Sequence, residues 1–294
     1  MTLTESKVKL ADGRQVMVLE AGEPSGLPVF VLHGSPGARL LYEPHIRDAA
    51  RKGIRLIGHD RAGYGGSTPQ RGRRVLDEAD DVGAIANHLG LERFGVWGYS
   101  GGGALALACA ARHPRRVIGA SSIAGVAPYP GEGFDWTAGM GASNVEDFRL
   151  LLADPVRWEA QNEQEAQALA TVNEEGLRRR FATLLSATDR MRFQGELLAY
   201  FTRLFVEGVR AGGAGLRDDS LSQCRPWGFD LGSIRVPTQV WHGGQDHFVP
   251  FSHGEYLVRN IPGVEPHLDP AEGHLTLFDH AVPQVHDWLG SRRP

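Results

Sequence analysis

Gly98-Tyr99-Ser100-Gly101-Gly102 sets a serine between glycines two residues before and two residues after it. A serine hydroxyl is a poor nucleophile until a neighbouring base takes its proton, so a serine displayed this way points to covalent acyl transfer. The five-residue pattern alone carries little weight. With 38 glycines in 294 residues, chance supplies on the order of 0.3 such matches in this length. The surroundings carry more. An apolar run, Phe94 to Trp97, precedes the motif, and a small-residue stretch, Gly102 to Arg112, follows it. Ser100 is therefore expected on a sharp strand-to-helix turn. Such a turn strains its central residue and leaves no room for side chains at positions 98 and 102. The helix after it aims its first N–H groups at developing negative charge. The bland alternative is a serine in a Gly-rich turn capping a helix.

The elements that must hold this turn are legible around it. Val8 to Leu10 and Gln15 to Glu20 read as a hairpin about Asp12-Gly13. Strands are expected at Val29 to Leu32, Arg55 to His59, Phe94 to Trp97 and Val117 to Ala124. Helices are expected over Tyr42 to Lys52, Leu76 to Leu89 and Gly102 to Arg112. Alternation of this kind gives a mostly parallel sheet with helices on both faces. It breaks at 126–142, which is rich in Gly, Pro and aromatics, and 144–212 reads as helical without a strand. It resumes with a strand at Thr238 to Trp241, a helix near Ser252 to Asn260, a strand at Pro266 to Asp269 and a final helix over Val282 to Leu289. We read an α/β core at 1–126 and 226–294 interrupted by a helical insertion at 127–225.

Composition narrows the function classes. The net charge of −4 gives no electrostatic support for nucleic-acid binding. Arg71, Arg73 and Arg74 read as a solvated basic loop. Two cysteines make no disulfide framework, and no Cys/His spacing suits zinc, so no metal or cofactor is expected. Met1 to Leu10 lacks the apolar core of a signal peptide, and no apolar run is long enough to span a bilayer. The expectation is a cytoplasmic protein acting on a small molecule, with no membrane partner; oligomeric state is not encoded in any motif. Gly101, Gly103 and Ala106 fit a dinucleotide-binding pattern, but that pattern wants an acidic residue about 20 positions on, and 119–126 contains none.

Four further segments carry a resemblance to the α/β-hydrolase fold over nearly the whole chain. His33-Gly34-Ser35-Pro36-Gly37 resembles the family's oxyanion loop. Asp60-Arg61-Ala62-Gly63-Tyr64-Gly65-Gly66-Ser67 resembles its D-R-x-G-x-G-x-S loop. Gly244 to Pro250 resembles the segment carrying the acid, and Glu272-Gly273-His274 the segment carrying the base. The resemblance implies a serine hydrolase with Ser100 as nucleophile, His274 as base and Asp246 as the orienting acid. Their chain order, Ser, Asp, His, is the one this fold uses. The roles make physical sense. Histidine titrates near neutral pH, a buried carboxylate fixes its tautomer, and the tetrahedral oxyanion needs preorganised donors. Those donors are expected to be the backbone N–H groups of Ser35 and Gly101. Some family members place the acid after the strand ending Ser121-Ser122-Ile123-Ala124, where this chain has no carboxylate, which favours Asp246. Asp60 and Arg61 are expected to organise their loop.

Serine at position 100 argues against the dehalogenases and epoxide hydrolases of this fold, which the resemblance would require to carry Asp there. Ester, thioester, lactone and amide hydrolysis remain, as do carbon–carbon bond hydrolysis, cofactor-free perhydrolysis and a non-catalytic ligand-binding role. Tyr99, Trp136 and, beside its structural role, His33 are the candidate substrate contacts. Phe134, Trp136, Met140, Phe148, Leu151 and Trp158 of the insertion either line an apolar pocket or pack the cap. Glu159, Glu163, Glu165, Glu174 and Glu175 form either a solvated face or a site for a substrate ammonium. His33 to Gly37 resembles the H-G-G-P-G of proline iminopeptidases, with Ser in place of the third residue, and Asp60-Arg61-Ala62-Gly63 departs from that group's D-Q-R-G. Aminopeptidase action therefore ranks second to esterase-like hydrolysis.

Overall fold

The computed structural model describes residues 3–131 and 133–293. Its strands are β1 (Thr4–Lys9), β2 (Gln15–Gly22), β3 (Leu27–Leu32), β4 (Ile54–His59), β5 (Phe94–Tyr99), β6 (Val117–Ile123), β7 (Thr238–Gly243) and β8 (Glu265–Asp269). They form a single sheet in the spatial order β1-β2-β4-β3-β5-β6-β7-β8. β2 runs antiparallel to both its neighbours, and every pair from β4 to β8 is parallel. The β1–β2 hairpin turns at Asp12-Gly13 as expected. Gly13 takes a φ of 90°, a region open to glycine at little cost, and the Leu10 N–H donates to the Arg14 carbonyl at 2.8 Å.

The helices are α1 (Glu43–Arg51), α2 (Val75–His88), α3 (Gly101–Arg112), α4 (Ala142–Ala153), α5 (Pro155–Leu169), α6 (Glu174–Arg180), α7 (Ala187–Arg192), α8 (Gly195–Gly208), α9 (Ala214–Gln223), α10 (Phe251–Asn260) and α11 (His274–Gly290). Side chains alternate across the central strands. Phe30, Leu32, Phe94 and Val96 pack with α2 and α3, whereas Val29, Val31, Trp97 and Tyr99 pack with α1 and α11. Both faces are apolar because both are covered, as a parallel sheet requires. From β3 the chain crosses to β4 on one side, then returns through α2 to β5 on the other. The loops after β3 and β5 therefore diverge, opening the crevice at which open α/β sheets bind ligands.

Two expectations about elements change. The helical stretch holds five helices, α4–α8, with no strand between them, and α9 extends it past 212. The last helix begins at His274, not at Val282. Pro283 favours a helix's first turn, but here it lies inside α11, where it gives up one i→i−4 bond. Its own carbonyl accepts from Lys52 Nζ at 2.6 Å.

Candidate active site

β5 ends at Tyr99 and α3 starts at Gly101, so the turn between them is Ser100 alone. Ser100 has φ 55° and ψ −127°, a conformation costly for any residue with a side chain. Two bonds hold it there. The Ser100 N–H donates to the Ile123 carbonyl, and the Gly103 N–H donates to the Ser100 carbonyl, each at 2.8 Å. A Cβ at Gly98 would run into the Gly102 carbonyl, and one at Gly102 into the carbonyls of Leu32 and His33. The spacing read from sequence is thus a steric requirement of this turn.

Asp246 follows β7, and His274 opens α11. His274 Nδ1 donates to Asp246 Oδ2 at 2.6 Å. Asp246 Oδ1 accepts from the N–H groups of Phe248 and Val249, both at 2.8 Å. The imidazole lies between the rings of Tyr99 and Phe248, with centroids at 4.8 and 4.6 Å. With Nδ1 committed to the carboxylate, Nε2 is the ring's remaining acceptor. Ser100 and His274 face one cavity; among the described residues no hydrogen bond joins them. Such bonds are often long until substrate binds. A second histidine near the acid, His242, is buried, donates through Nε2 to the Val249 carbonyl at 2.8 Å, and stands 3.9 Å from Asp246.

Asp189 was not legible in the sequence. Its fully buried carboxylate accepts from the backbone N–H groups of His274, Leu275 and Thr276 at 3.1, 2.8 and 3.1 Å. These are the orphan donors of the α11 N-terminus, whose partial positive charge suits a carboxylate. The pairing joins α7 to the turn bearing His274. No sequence spacing rule links positions this far apart.

A buried ionic cluster supports the loop after β3. Arg61 donates to the carbonyls of His33 and Gly34 and to Asp219 of α9. Asp219 also accepts from Ser35 Oγ, from Tyr64 at 2.7 Å and from Arg73 Nη2 at 2.5 Å. Burial pulls the Asp219 carboxyl upward, but the charges of Arg61 and Arg73 outweigh it and hold the group well below the usual carboxylate range. Arg73 is therefore a buried structural cation, not part of a solvated basic loop. As expected, Asp60 organises its own loop, accepting from the N–H groups of Arg39 and Gly66. The Ser35 hydroxyl is occupied by Asp219, while neither Ser35 nor Gly101 donates its backbone N–H to another described residue. His33 does not line the cavity. Burial first, then the Arg61 charge, keeps its imidazole neutral, and Nδ1 donates to the Gly34 carbonyl at 2.7 Å.

The cavity has a volume of about 550 Å³, within the range of small-ligand pockets. Ser35, Tyr99, Ser100, Gly101 and His274 line it, together with Trp136, Met140, Phe148, Leu151 and Trp158 from the segment between β6 and β7. Phe134 instead packs on Tyr256, centroid to centroid 5.0 Å. The acidic residues of α5 and α6 mostly have partners. Glu159 pairs with Arg71 and Arg217, Glu165 with Arg180, and Glu175 with Arg178 and Arg179, while Glu163 accepts the Gly213 N–H. Among the described residues no group of three or more His, Cys, Asp or Glu side chains is placed to hold a metal ion. No helix among them is long and apolar enough to cross a membrane.

Known proteins resemble this chain in sequence and in fold. The AB hydrolase superfamily protein YisY of Bacillus subtilis is 28% identical over 265 residues, covering 86% of this chain and 87% of that protein. A 2-hydroxy-6-oxononadienedioate/2-hydroxy-6-oxononatrienedioate hydrolase of Cupriavidus pinatubonensis is 26% identical, covering 90% and 86%. A probable proline iminopeptidase of Leptolyngbya boryana is 35% identical over 34% of this chain and 32% of its own. In structure, a thermophilic esterase from Thermogutta terrifontis superposes with a TM-score of 0.71 at 22% identity, over 99% of this chain and 100% of that one. The model of the alpha/beta hydrolase fold family matches residues 28–281. The chain belongs to the alpha/beta hydrolase fold family.

Proposed function

We propose that this protein is a serine hydrolase that cleaves a small-molecule ester or lactone through an acyl-enzyme on Ser100. The observation that carries this is the Asp246–His274 pair, bonded at 2.6 Å and opening on the same cavity as the strained Ser100 turn. In this reading His274 Nε2 takes the Ser100 proton as Oγ bonds to the substrate carbonyl carbon. The carbonyl π pair moves onto oxygen, where the N–H groups of Ser35 and Gly101 receive it. Collapse expels the alkoxide, which takes the proton from His274. Water, activated by the same imidazole, then releases the acid and restores Ser100. Asp246 keeps the tautomer correct throughout. Residues 127–225 act as a cap whose apolar side chains, Trp136 among them, select the acyl or alcohol portion. Tyr99 shapes the floor beside His274.

An active-site fluorophosphonate probe should label Ser100 of the folded protein, and Ser100→Ala should abolish labelling. His274→Ala should cost at least about 10³ in ester turnover. Absence of labelling, or near-wild-type turnover in His274→Ala, sinks the reading.

One observation favours a second reading, aminopeptidase action. Asp147 faces the cavity with no cationic partner among the described residues; Trp158 Nε1 donates to it at 3.0 Å. Such a carboxylate would suit a substrate ammonium, although burial raises its pKa and disfavours the charged form. The ion pairing of Glu159, Glu165 and Glu175 weighs on the side of the ester. Hydrolysis of prolyl anilides but not of their N-acetylated forms would select the aminopeptidase; equal hydrolysis of both removes it.

A further inference from the structure

α9 carries Asp219 and Gln223 one turn apart, on one face of the helix. Asp219 binds that face to Ser35, Tyr64, Arg61 and Arg73, so α9 cannot shift without breaking its hydrogen bond to the loop after β3 and its buried ion pairs with Arg61 and Arg73. Gln223 projects from this fixed face into the cavity that Ser35, Ser100 and Gly101 also line. Its Nε2 lies 2.9 Å from the position that a Cβ on Gly101 would occupy, and Ser35 Oγ lies 2.7 Å from the same point. The other polar side chains of that end of α9 are engaged within the protein. Asp218 accepts from Arg217, Ser220 donates to the Leu216 carbonyl, and Ser222 donates to the Asp219 carbonyl. The Gln223 amide makes no hydrogen bond with another described residue, which leaves it free to meet a ligand in the cavity.

We propose that Gln223 is a third oxyanion donor, a catalytic residue supplied by the inserted helices. This rests on the serine-hydrolase reading above. When Ser100 Oγ bonds to the carbonyl carbon, the π pair moves to oxygen and the hydroxyl proton passes to His274. The new negative charge develops beside Gly101, where the Gln223 amide stands. An amide can turn either end to a neighbour, and an oxyanion selects its N–H₂. Ser35 and Gly101 donate from the sheet core, whereas Gln223 donates from the insertion. Full stabilisation of the oxyanion therefore requires α9 to be docked, which is what the Asp219 cluster secures.

The test compares wild type, Gln223→Met, Gln223→Glu and Gln223→His on a p-nitrophenyl ester, with fluorophosphonate labelling and thermal unfolding of each. Met retains an unbranched chain without a donor, and Glu retains the shape with a repelling charge. We expect kcat to fall about 10²-fold in Gln223→Met with KM nearly unchanged, and further in Gln223→Glu. Gln223→His, which keeps a ring N–H, should recover part of the loss. Affinity for a trifluoromethyl ketone, which binds as a hemiketal oxyanion, should fall in parallel with kcat/KM. The assignment of Gln223 is overturned if the Glu variant turns over as fast as the Met variant, or if the folded variants keep kcat within about threefold of wild type. A wild type that is neither labelled nor active overturns the serine-hydrolase reading itself. A labelled, active wild type with indifferent variants overturns the role of Gln223 alone.

Discussion

Replacing Asp246 by Asn removes one charge and almost no volume, and the structure sets what the new amide must do. In the wild type, Oδ1 accepts two backbone N–H groups, from Phe248 and Val249, and Oδ2 accepts from His274 Nδ1. An amide has one oxygen and one N–H₂ to satisfy these positions. With its oxygen towards the two backbone donors, the N–H₂ faces His274. The imidazole must then offer Nδ1 as acceptor and carry its proton on Nε2, where it can no longer accept the proton of Ser100. The flipped amide keeps the correct tautomer but sets N–H₂ against two buried N–H groups. Losing those two bonds at about 1 kcal/mol each favours the unproductive orientation by at least about 2 kcal/mol, or roughly 30-fold. Loss of the carboxylate that stabilises the imidazolium adds to this, towards the loss of about 10⁴ seen where such an acid is made an amide. We therefore expect kcat of Asp246→Asn on a p-nitrophenyl ester to fall between about 30-fold and 10⁴-fold, with an unfolding temperature close to wild type. Turnover within about threefold of wild type, in a folded variant, would refute the assignment of Asp246 and the tautomer argument with it.

Asp189→Ala should strand three backbone donors at the N-terminus of α11, lowering Tm by about 5 to 10 °C. Because the same turn bears His274, kcat should fall by about 10², with Asp189→Asn losing less on both counts. Unchanged Tm and kcat in the Ala variant would contradict the capping role. His253 accepts from the Ala127 N–H and donates to the Trp136 carbonyl, at 3.0 and 2.8 Å, and burial chiefly lowers its pKa to about 4. Unfolded, it binds a proton below about 6.5. Stability should therefore be intact above about pH 6.5 and fall as pH drops from there towards 4. His253→Gln, which retains an acceptor and a donor, should flatten the slope of unfolding free energy against pH by up to about 1.4 kcal/mol per unit in that window. Denaturant titrations at several pH values check this, and an unchanged slope contradicts it.

The elements around Ser100 were legible because they rest on local chemistry. The Gly98–Gly102 spacing answers a steric demand of one turn, and the hydrophobic runs of β3, β5 and β6 answer burial on both faces of a parallel sheet. Asp246 and His274 were expected as partners from likeness of short segments to a known family rather than from spacing, since their contact spans the fold. Less legible were boundaries that depend on long-range partners. Pro283 is an intrinsic signal for a helix start, and α11 begins earlier because Asp189, far away in the chain, caps it at His274. Arg73 read as solvated because neighbouring arginines are, and only the arrival of Asp219 from α9 buries it.

By itself, then, the sequence determined the fold class, the alternation of strand and helix, the strained serine and the place where the alternation breaks. These follow from side-chain size, backbone freedom and periodicity over a few residues. Tertiary structure alone decided what surrounds the serine. It joined His274 to Asp246, left the N–H groups of Ser35 and Gly101 unclaimed by any other described residue, turned His33 away from the cavity and Gln223 towards it. It also showed that the acidic residues of α5 and α6 are largely neutralised by arginines. Each of these depends on groups distant in the chain meeting within hydrogen-bond range, and a short pattern does not carry that information because the same pattern would meet different partners in a differently docked insertion.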